Sequence, residues 1–488
     1  MGVDYLTLLK DKKNNKEIIE KLEKEELEYK IEEEKRKIRE EVLSKNKDVA
    51  KIVEKFSSKE ELAEMILEVI PLYYDEAGLW WMWHSGSHRW VLCDEVDICN
   101  IVMNTSTANT ISQKERNEIL QALKQVSRYN KPIEPSPELI QFGDEVVNIF
   151  TGDRFKASPK YFFTNPIPHK IGKSKETPTI DKLLKDWVGE KYVNTMKEII
   201  AYCLYRDMPI HRTFCFIGSG SNGKSCFLDM LATFLGNENC STTDFERLMT
   251  NRFETTRIYR KLACIMGETN FEKLEKTDLF KRMTGGDLIS FEYKHKKPFE
   301  AKSYAKIIIA TNNLPETTDK TDGFYRRWLI IDFPNKFTEG KNPLLDITEE
   351  EYENLAYACI DILYNLLKKY KFEEEGTVEE RAKVYEEKSN PFEKFWKEFI
   401  VEDIEKATPK FMFREAFEEF CRENKFRMPT EVFIAKKMRE KGIREVRRTF
   451  KSRSGDTKVW RAWEGIVVKG LDVDEDDGFS TDVEKIKI

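Results

Sequence analysis

The sequence predicts an α/β protein with a central unit of strands and helices, and three observations support this prediction. Four short apolar runs between residues 214 and 333 each adjoin a glycine-rich or polar segment. The first run enters a glycine-rich loop and then a helical pattern, which is the order found in phosphate-binding folds. The regions on either side mix helical and strand-like patterns, so we expect an α+β domain before the central unit and a small helix-and-hairpin domain after it.

Length and charge limit the classes of protein to which the chain can belong. Its 488 residues leave room for about three domains. Lys and Arg total 82 against 88 Asp and Glu, so the formal net charge is −6 and a uniformly basic nucleic-acid-binding surface is excluded. No apolar run approaches the roughly 18 residues of a membrane span. The charged N-terminus lacks a signal-peptide pattern, so we expect a cytoplasmic protein without a membrane partner.

Composition also changes along the chain, and these changes predict its domain organisation. Residues 15–47 are dominated by Lys, Glu and Arg, which is typical of a solvated helix, a weak coiled coil or a partly ordered arm. The abundance of Lys and Glu beside only four glutamines suggests a thermophilic host, such as a thermophilic archaeon. We expect six segments, namely a charged helical arm (1–56), an α+β domain (57–177), the central unit (178–345), a helical linker (346–400), a winged-helix-like domain (401–470) and an acidic tail (471–488).

The α+β domain contains a tryptophan-rich segment with two possible interpretations. Tryptophans alternate around a His-Ser-Gly-Ser-His turn at 84–88, which predicts a β-hairpin. A zinc site is the alternative, with His84, His88, Cys93 and Cys99 as ligands, but their spacing lacks the paired short intervals of structural zinc sites. The domain also lacks an Asp-x-Asp pair that could hold two metal ions, so we expect any primase or polymerase to act in trans.

The glycine-rich loop at 218–225 is the strongest motif in the chain. Its sequence, Gly-Ser-Gly-Ser-Asn-Gly-Lys-Ser, follows the apolar run 214–217 and precedes a helical pattern. In this context the backbone N–H groups surround phosphate oxygens, Lys224 neutralises the β- and γ-phosphates, and Ser225 ligates Mg²⁺. The alternative is a glycine-rich turn with a chance lysine. The predicted ATP-binding residues are Gly218, Ser219, Gly220, Ser221, Asn222, Gly223, Lys224 and Ser225.

The other apolar runs adjoin residues that could complete an ATPase site. Glu268 follows the run 261–266 and could hold Mg²⁺ or polarise the attacking water. Asn312 follows the run 306–311 and could orient that water, or it could simply begin a turn before a proline. Arg326 and Arg327 precede the fourth run, where one could reach a neighbouring subunit's γ-phosphate or form a surface salt bridge.

Taken in order, these elements resemble superfamily 3 helicases, which are AAA+ motors, and most closely their phage, plasmid and poxvirus primase-helicase branch. Thr284-Gly-Gly-Asp287 and Thr311-Asn-Asn-Leu-Pro315 match two further signatures of that branch. The resemblance implies an AAA+ P-loop ATPase core, ATP and Mg²⁺ as cofactors, a hexamer and 3′→5′ movement on DNA. It makes Glu268 the catalytic glutamate and Asn312 sensor 1. It favours Arg327 over Arg326 as the finger, and it leaves open a second acidic metal ligand, because Gly267 precedes Glu268.

A basic segment between the second and third runs is a candidate contact for single-stranded DNA. Residues 290–298 resemble the hairpin that precedes sensor 1 in papilloma- and polyomavirus helicases, where a Lys-His pair grips DNA. Lys294 and His295 match that pair, and Lys296 and Lys297 extend it. A ring of such tips would place cations along a phosphate backbone without reading bases. The alternative is a solvated basic turn.

The C-terminal module is locally basic although the whole chain is not. Residues 410–461 contain 16 Lys and Arg and 8 Asp and Glu, which gives a local charge of +8. The pattern of two helices, a strand, a tight turn and a strand fits a winged helix. DNA could contact the second helix and the wing, although winged folds also bind proteins. The candidate residues are Lys436, Lys437, Arg439, Arg447, Arg448, Lys451 and Arg453.

These features predict a ring-forming, ATP-driven DNA helicase that replicates a plasmid or viral genome and acts on single-stranded and forked DNA. Two alternatives remain open at this point. One is an oligomeric ATPase that loads or recruits replication partners without translocating. The other is a combined primase-helicase.

Overall fold

The computed structural model describes residues 59–105, 112–218, 220–267, 273–274, 277–338, 340, 342–423, 426, 428–451 and 457–470. The predicted arm (1–56) and acidic tail (471–488) lie outside the described residues. The same is true of the candidate site residues Ser219, Glu268 and Arg453, and of the side chain of Lys451.

The first described part is a tryptophan-rich sheet packed on helices. It comprises α1 (Lys59–Val69), β1 (Leu72–Tyr74), β2 (Trp80–His84), β3 (Arg89–Cys93), α2 (Glu95–Thr105) and α3 (Gln113–Tyr129). Strands β2 and β3 pair antiparallel with Trp83 opposite Trp90, which confirms the predicted hairpin. Ser112 and Glu115 form a capping box that fixes the start of α3. We call β1–β3 the tryptophan sheet.

A second small sheet joins this part to the central unit. It contains β4 (Leu139–Phe142), β5 (Glu145–Asn148) and β6 (Arg154–Lys156). Ile140, Phe142 and Val147 share a hydrophobic core with the central unit, whereas Val146 packs in the core of the tryptophan sheet. The packing therefore continues across the predicted boundary at residue 177, because alternate residues of one strand face two different cores.

The central unit is a parallel sheet covered by helices, as the apolar runs predicted. Its elements before the third run are α4 (Pro178–Val188), α5 (Val193–Cys203), β7 (Thr213–Ile217), α6 (Lys224–Leu235), β8 (Cys240–Thr242), α7 (Phe245–Thr250), β9 (Ala263–Met266), β10 (Lys273–Leu274), α8 (Asp278–Gly285), β11 (Leu288–Phe291) and β12 (Phe299–Lys302). It continues with β13 (Lys306–Thr311), β14 (Glu316–Thr317), α9 (Asp322–Tyr325) and β15 (Trp328–Asp332). Five strands form one sheet in the order β15-β7-β13-β9-β8, with the described pairings all parallel. The carboxyl ends of these strands therefore meet at one edge.

The chain leaves the sheet through helices and ends in a second three-stranded sheet. The elements are α10 (Glu349–Lys369), α11 (Val378–Ser389), α12 (Pro391–Phe399), β16 (Ile400–Pro409), α13 (Lys410–Glu423), α14 (Glu431–Glu440), β17 (Glu445–Lys451) and β18 (Thr457–Val468). Short one-turn helices occupy Glu190–Tyr192, Asn237–Asn239, Glu254–Ile258 and Pro343–Asp346. No helix in the described ranges is long and apolar enough to cross a membrane.

The C-terminal sheet contains a strand that the sequence pattern did not reveal. Strand β16 pairs with β18, which also pairs with β17, in the order β16-β18-β17. The register of β16 shifts between Glu402 and Ala407, and that irregularity hides the usual alternation. Phe392 and Phe395 of α12 share a core with α13 and α14. The C-terminal packing unit thus begins before the predicted boundary at residue 401.

Candidate nucleotide site and DNA-binding surfaces

The loop between β7 and α6 has a backbone conformation that requires glycine at two positions. Gly220 and Gly223 have φ of +84° and +89°, in the left-handed region that glycine adopts freely. A Cβ on Gly218 would lie 2.6 Å from the carbonyl oxygen of Phe333, and a Cβ on Gly223 would lie 2.2 Å from Cδ1 of Trp187. The loop is therefore closely packed on its neighbours at both ends.

Lys224 points back into this loop. Its side chain is buried, with the residue 7% exposed, and Nζ donates to the carbonyl oxygen of Gly218 at 2.5 Å and to Oδ1 of Asn222 at 3.1 Å. The amide of Asn222 in turn donates to the carbonyl oxygen of Phe333 at 3.2 Å. The lysine charge is consequently held at a fixed place inside the turn, where it can neutralise an anion enclosed by the loop.

The first turn of α6 is open to a ligand. Its N-cap is Gly223, which has no side chain to bond the first N–H groups, so these donors and the helix dipole favour an anion at this end. Ser225 is exposed and lines a cleft of about 440 Å³ that Gly267 also lines. Lys224, the open helix end and the Ser225 hydroxyl together fit a nucleoside triphosphate with its Mg²⁺.

The third strand brings Asn312 to the same edge as the loop. Thr311 lies opposite Ile217 in the parallel pairing of β13 with β7, and Gly218 N–H donates to the Thr311 carbonyl at 3.4 Å. Asn312, the next residue, is half-buried beside the start of the loop. Asn313 instead accepts a hydrogen bond from Lys394 Nζ at 3.2 Å, so the two adjacent amides have different surroundings.

The two arginines before β15 differ sharply in exposure. Arg327 is 6% exposed, and it donates to Thr284 Oγ1 at 2.9 Å, to the Lys281 carbonyl at 3.0 Å and to the Gly323 carbonyl. Burial and the neighbouring Arg326 lower the pKa of Arg327. Arg326 is exposed. This geometry goes against the expected preference for Arg327 as a finger, because a guanidinium that satisfies buried acceptors within its own chain is not presented to a neighbouring subunit.

One residue of the loop's surroundings carried no recognisable signal in the sequence. Trp187, near the end of α4, is buried with its indole against Gly223 and 6.2 Å from the ring of Phe227. The loop motif requires glycine at position 223, but nothing in the motif indicates which distant side chain fills the space next to it. Trp187 is thus part of the structure that shapes the loop.

The predicted basic hairpin is present, and its tip is exposed. Strands β11 and β12 pair from Leu288 opposite Lys302 to Phe291 opposite Phe299. Lys294, His295 and Lys297 are exposed in the turn, where His295 has φ of +64°. Lys296, although also exposed, donates from Nζ to the carbonyl oxygen of Gly78 at 3.1 Å. The hairpin therefore presents at least three cationic or titratable side chains, and a fourth contacts the tryptophan sheet.

The candidate DNA-binding residues of the C-terminal module also differ in exposure and contacts. On α14, the Lys436 side chain is 73% exposed, whereas Lys437 is 23% exposed and bonds Glu440 at 2.8 Å. On β17, Arg447 is exposed, and Arg448 donates to the Glu405 carbonyl at 2.9 Å. The elements of this module follow in the order α12-β16-α13-α14-β17-β18, and β16 pairs with β18.

One residue of the alternative zinc site, His84, makes another contact. Nδ1 of His84 lies 2.8 Å from Oγ of Ser87 within the hairpin turn. Burial raises the pKa of the Cys93 thiol to about 12. Within the described ranges, no group of three His, Cys, Asp or Glu side chains is placed to hold a metal ion.

Part of the central unit matches a family of known sequences. Residues 216–327 match DUF5906, which is described as a family of unknown function. The match begins within β7 and ends at Arg327, so it spans the loop, the basic hairpin and both arginines.

One curated relative carries a functional name. A protein of Acanthamoeba polyphaga mimivirus named "Putative helicase L207/L206" is 27% identical to this chain over 165 residues. The aligned segment is 32% of this chain and 17% of the viral protein. The chain therefore covers only a small part of that relative's length.

Solved structures of one protein also align with most of the chain. The A-form apo structure of the C-terminal region of NrS-1 aligns over 84% of this chain and 100% of its own, with 13% identity and a TM-score of 0.42. Another apo structure of that region aligns over the same shares with 16% identity and the same TM-score. Scores at this level are too low to establish a common fold.

Proposed function

We propose that this protein is an ATP-dependent, ring-forming DNA helicase that takes part in replicating a viral or plasmid genome. The observation that carries the proposal is the shared strand edge, where Lys224 lies inside the glycine loop and Asn312 directly follows the adjacent strand β13. A relative with a helicase name supports it.

In this proposal the strand edge holds ATP and Mg²⁺. The N–H groups of the loop and Lys224 bind the β- and γ-phosphates, and the Ser225 hydroxyl is a ligand for the metal ion, which supplies charge neutralisation at the transferring phosphoryl group. Asn312 orients the attacking water, and the resemblance assigns its activation to Glu268. Because Arg326 is exposed and Arg327 is not, we assign the finger that reaches a neighbouring subunit's γ-phosphate to Arg326.

The exposed hairpin tips provide the DNA contact in the ring. Lys294, His295 and Lys297 from each subunit face the phosphate backbone of one strand, which gives affinity without base specificity. The family resemblance implies a hexamer and 3′→5′ movement. The C-terminal module adds a second, duplex-facing contact through Lys436 and Arg447, both of which are exposed.

Strand displacement on forked DNA tests this proposal against a non-translocating ATPase. The wild-type chain with ATP and Mg²⁺ is expected to displace a labelled strand, and Lys224→Ala is expected to lose both ATP hydrolysis and displacement. Lys182→Ala, which removes an exposed lysine of α4, is the matched control. Hydrolysis without displacement by the wild type would support the loading or recruiting alternative, and primer synthesis by the purified chain would support a primase-helicase.

A further inference from the structure

The tip of the basic hairpin is attached to a distant part of the chain. Lys296 Nζ lies 3.1 Å from the carbonyl oxygen of Gly78, in the turn between β1 and β2. Gly78 has φ of +75° in this turn, so its carbonyl direction is set by a conformation that favours glycine. Asp75 fixes the turn by accepting from Leu79 N–H and from Trp81 Nε1, both at 2.9 Å. The acceptor for Lys296 is consequently held in place by a buried hydrogen-bonded turn.

Aromatic packing connects residues at the turn end of the same hairpin to the same sheet. Tyr293 stacks on Phe299 with ring centroids 6.4 Å apart, and Phe299 lies 5.0 Å from Tyr259. Tyr259 in turn lies 6.3 Å from Trp81 of the tryptophan sheet. These rings belong to one hydrophobic cluster that includes residues of β1, β2 and β3. Burial raises the pKa of Tyr293, which is consistent with a hydroxyl enclosed by this packing.

A salt bridge lies next to these rings and adds to the same contact. Arg260 binds Glu134 through both terminal nitrogens, at 3.1 and 2.6 Å, and its guanidinium lies 4.0 Å from the ring centroid of Phe162. Phe162 also makes edge-to-face contacts with Tyr73 and Trp81. A bidentate arginine on an aromatic surface is a strongly oriented contact. The tryptophan sheet and the turn end of the hairpin are therefore parts of one packed body.

We propose that the tryptophan sheet is the support of the hairpin, and that Lys296 fastens the hairpin tip to this support rather than binding DNA. The first part gives a role to the N-terminal region that its sequence did not indicate. The second part rests on the proposed function, because it divides the four basic tip residues into three that face DNA and one that positions them.

Hydrogen exchange tests the support without requiring DNA. Lys296→Ala is expected to increase amide exchange in residues 75–79 and 292–298, because the link between the two turns is lost. Lys297→Ala removes the same charge from the neighbouring position and is expected to leave residues 75–79 unchanged. Unchanged exchange in both segments of Lys296→Ala would overturn the proposal.

The salt dependence of single-stranded DNA binding tests the division of roles. Loss of one phosphate contact lowers the slope of log K against log salt concentration by about 0.7 for single strands. For Lys297→Ala we expect this decrease once for each subunit that contacts the strand, and for Lys296→Ala we expect an unchanged slope. A decrease for Lys296→Ala would overturn its assignment as a fastening residue. If the slope is unchanged for Lys297→Ala and Lys294→Ala, the hairpin's proposed DNA contact fails, while the exchange experiment still decides whether the support exists.

Discussion

The strand-edge loop and the basic hairpin both present lysines, but they hold them in different ways. Lys224 is buried and donates to two acceptors of its own loop. Lys294 and Lys297 are exposed at a turn. A buried cation has a fixed position, and removing it leaves acceptors without a donor, whereas an exposed cation contributes mainly screened charge. We therefore expect large effects from changes around the loop and smaller, salt-dependent effects at exposed surfaces.

The adjacent arginines provide the strongest test of this difference, because one is buried and the other exposed. Arg326→Ala is expected to lower ATP turnover by about 10³-fold if it is the finger, while its effect on the free energy of unfolding stays within about 0.5 kcal/mol. Arg327→Ala is expected to destabilise the fold by about 3 kcal/mol, because the buried Thr284 hydroxyl and two half-buried carbonyls lose their donor. Steady-state ATP hydrolysis and urea unfolding measure the two effects.

Mixing variants shows whether the exposed arginine acts on a neighbouring subunit. Arg326→Ala and Lys224→Ala chains are each expected to be inactive alone, but a mixture can place an intact finger beside an intact loop. Partial recovery of ATP hydrolysis in the mixture is the expected result. An Arg326→Ala chain with wild-type turnover would contradict the assignment.

Two glycines in the loop test how closely the buried region is packed. Both have positive φ, but a Cβ on Gly223 would meet Trp187 at 2.2 Å, whereas a Cβ on Gly220 has nothing within 4 Å. Gly223→Ala is expected to weaken ATP binding by about 100-fold, since backbone strain and overpacking act together. Gly220→Ala introduces backbone strain without overpacking, so it should weaken ATP binding by about tenfold. Titration calorimetry with ATP measures both, and equal losses would mean that Trp187 does not shape the loop.

The sequence predicted the parts of this region that depend on local pattern. The strand, the glycine loop and the following helix are adjacent in the chain, and Asn312 follows an apolar run, so parallel pairing brings it to the loop. The choice between Arg326 and Arg327 depends on which one meets Thr284 and two carbonyls, and no local pattern encodes that. The contact of Lys296 with Gly78 joins residues separated by 218 positions, which explains why the support of the hairpin was not predicted.

Lys306 is a second buried lysine, and it begins β13 at the end of the strand opposite to Asn312. Its Nζ donates to the carbonyls of Asp207 at 2.9 Å, Tyr304 at 3.1 Å and Tyr205. Burial lowers the pKa of Lys306 to about 7 from its ordinary 10.5. Between these two values the unfolded chain binds more protons than the folded chain, so the contribution of Lys306 to stability rises with pH in that window.

Replacing this lysine tests both its contacts and its titration. Lys306→Met is expected to be about 2 kcal/mol less stable than the wild type at pH 9, because three half-buried carbonyls lose a donor. The difference should be smaller at pH 6, where the folded wild type carries the buried charge. Lys302→Met, at an exposed position on β12, is the control. Urea unfolding at both pH values measures the difference, and one that does not change with pH would contradict the lowered pKa.

The smallest expected effects lie on α14. There Lys436 is exposed, like the lysines of the hairpin turn, and its neighbour Lys437 is largely covered. Both lysines pair with Glu440, but the Lys436 side chain is 73% exposed and 3.9 Å from the carboxylate, whereas Lys437 is 23% exposed and 2.8 Å from it. Lys437 also lies 5.9 Å from the ring centroid of Phe433. Lys436→Ala is expected to weaken duplex DNA binding by about threefold at low salt, with the loss shrinking as salt rises, because it removes one phosphate contact. Lys437→Ala removes the same charge from a largely covered side chain that lies closer to the Glu440 carboxylate, so its loss should be smaller at every salt concentration. Fluorescence anisotropy with a labelled duplex measures both. Equal losses would mean that the net charge of the module, and not the exposure of individual side chains, determines its affinity for DNA.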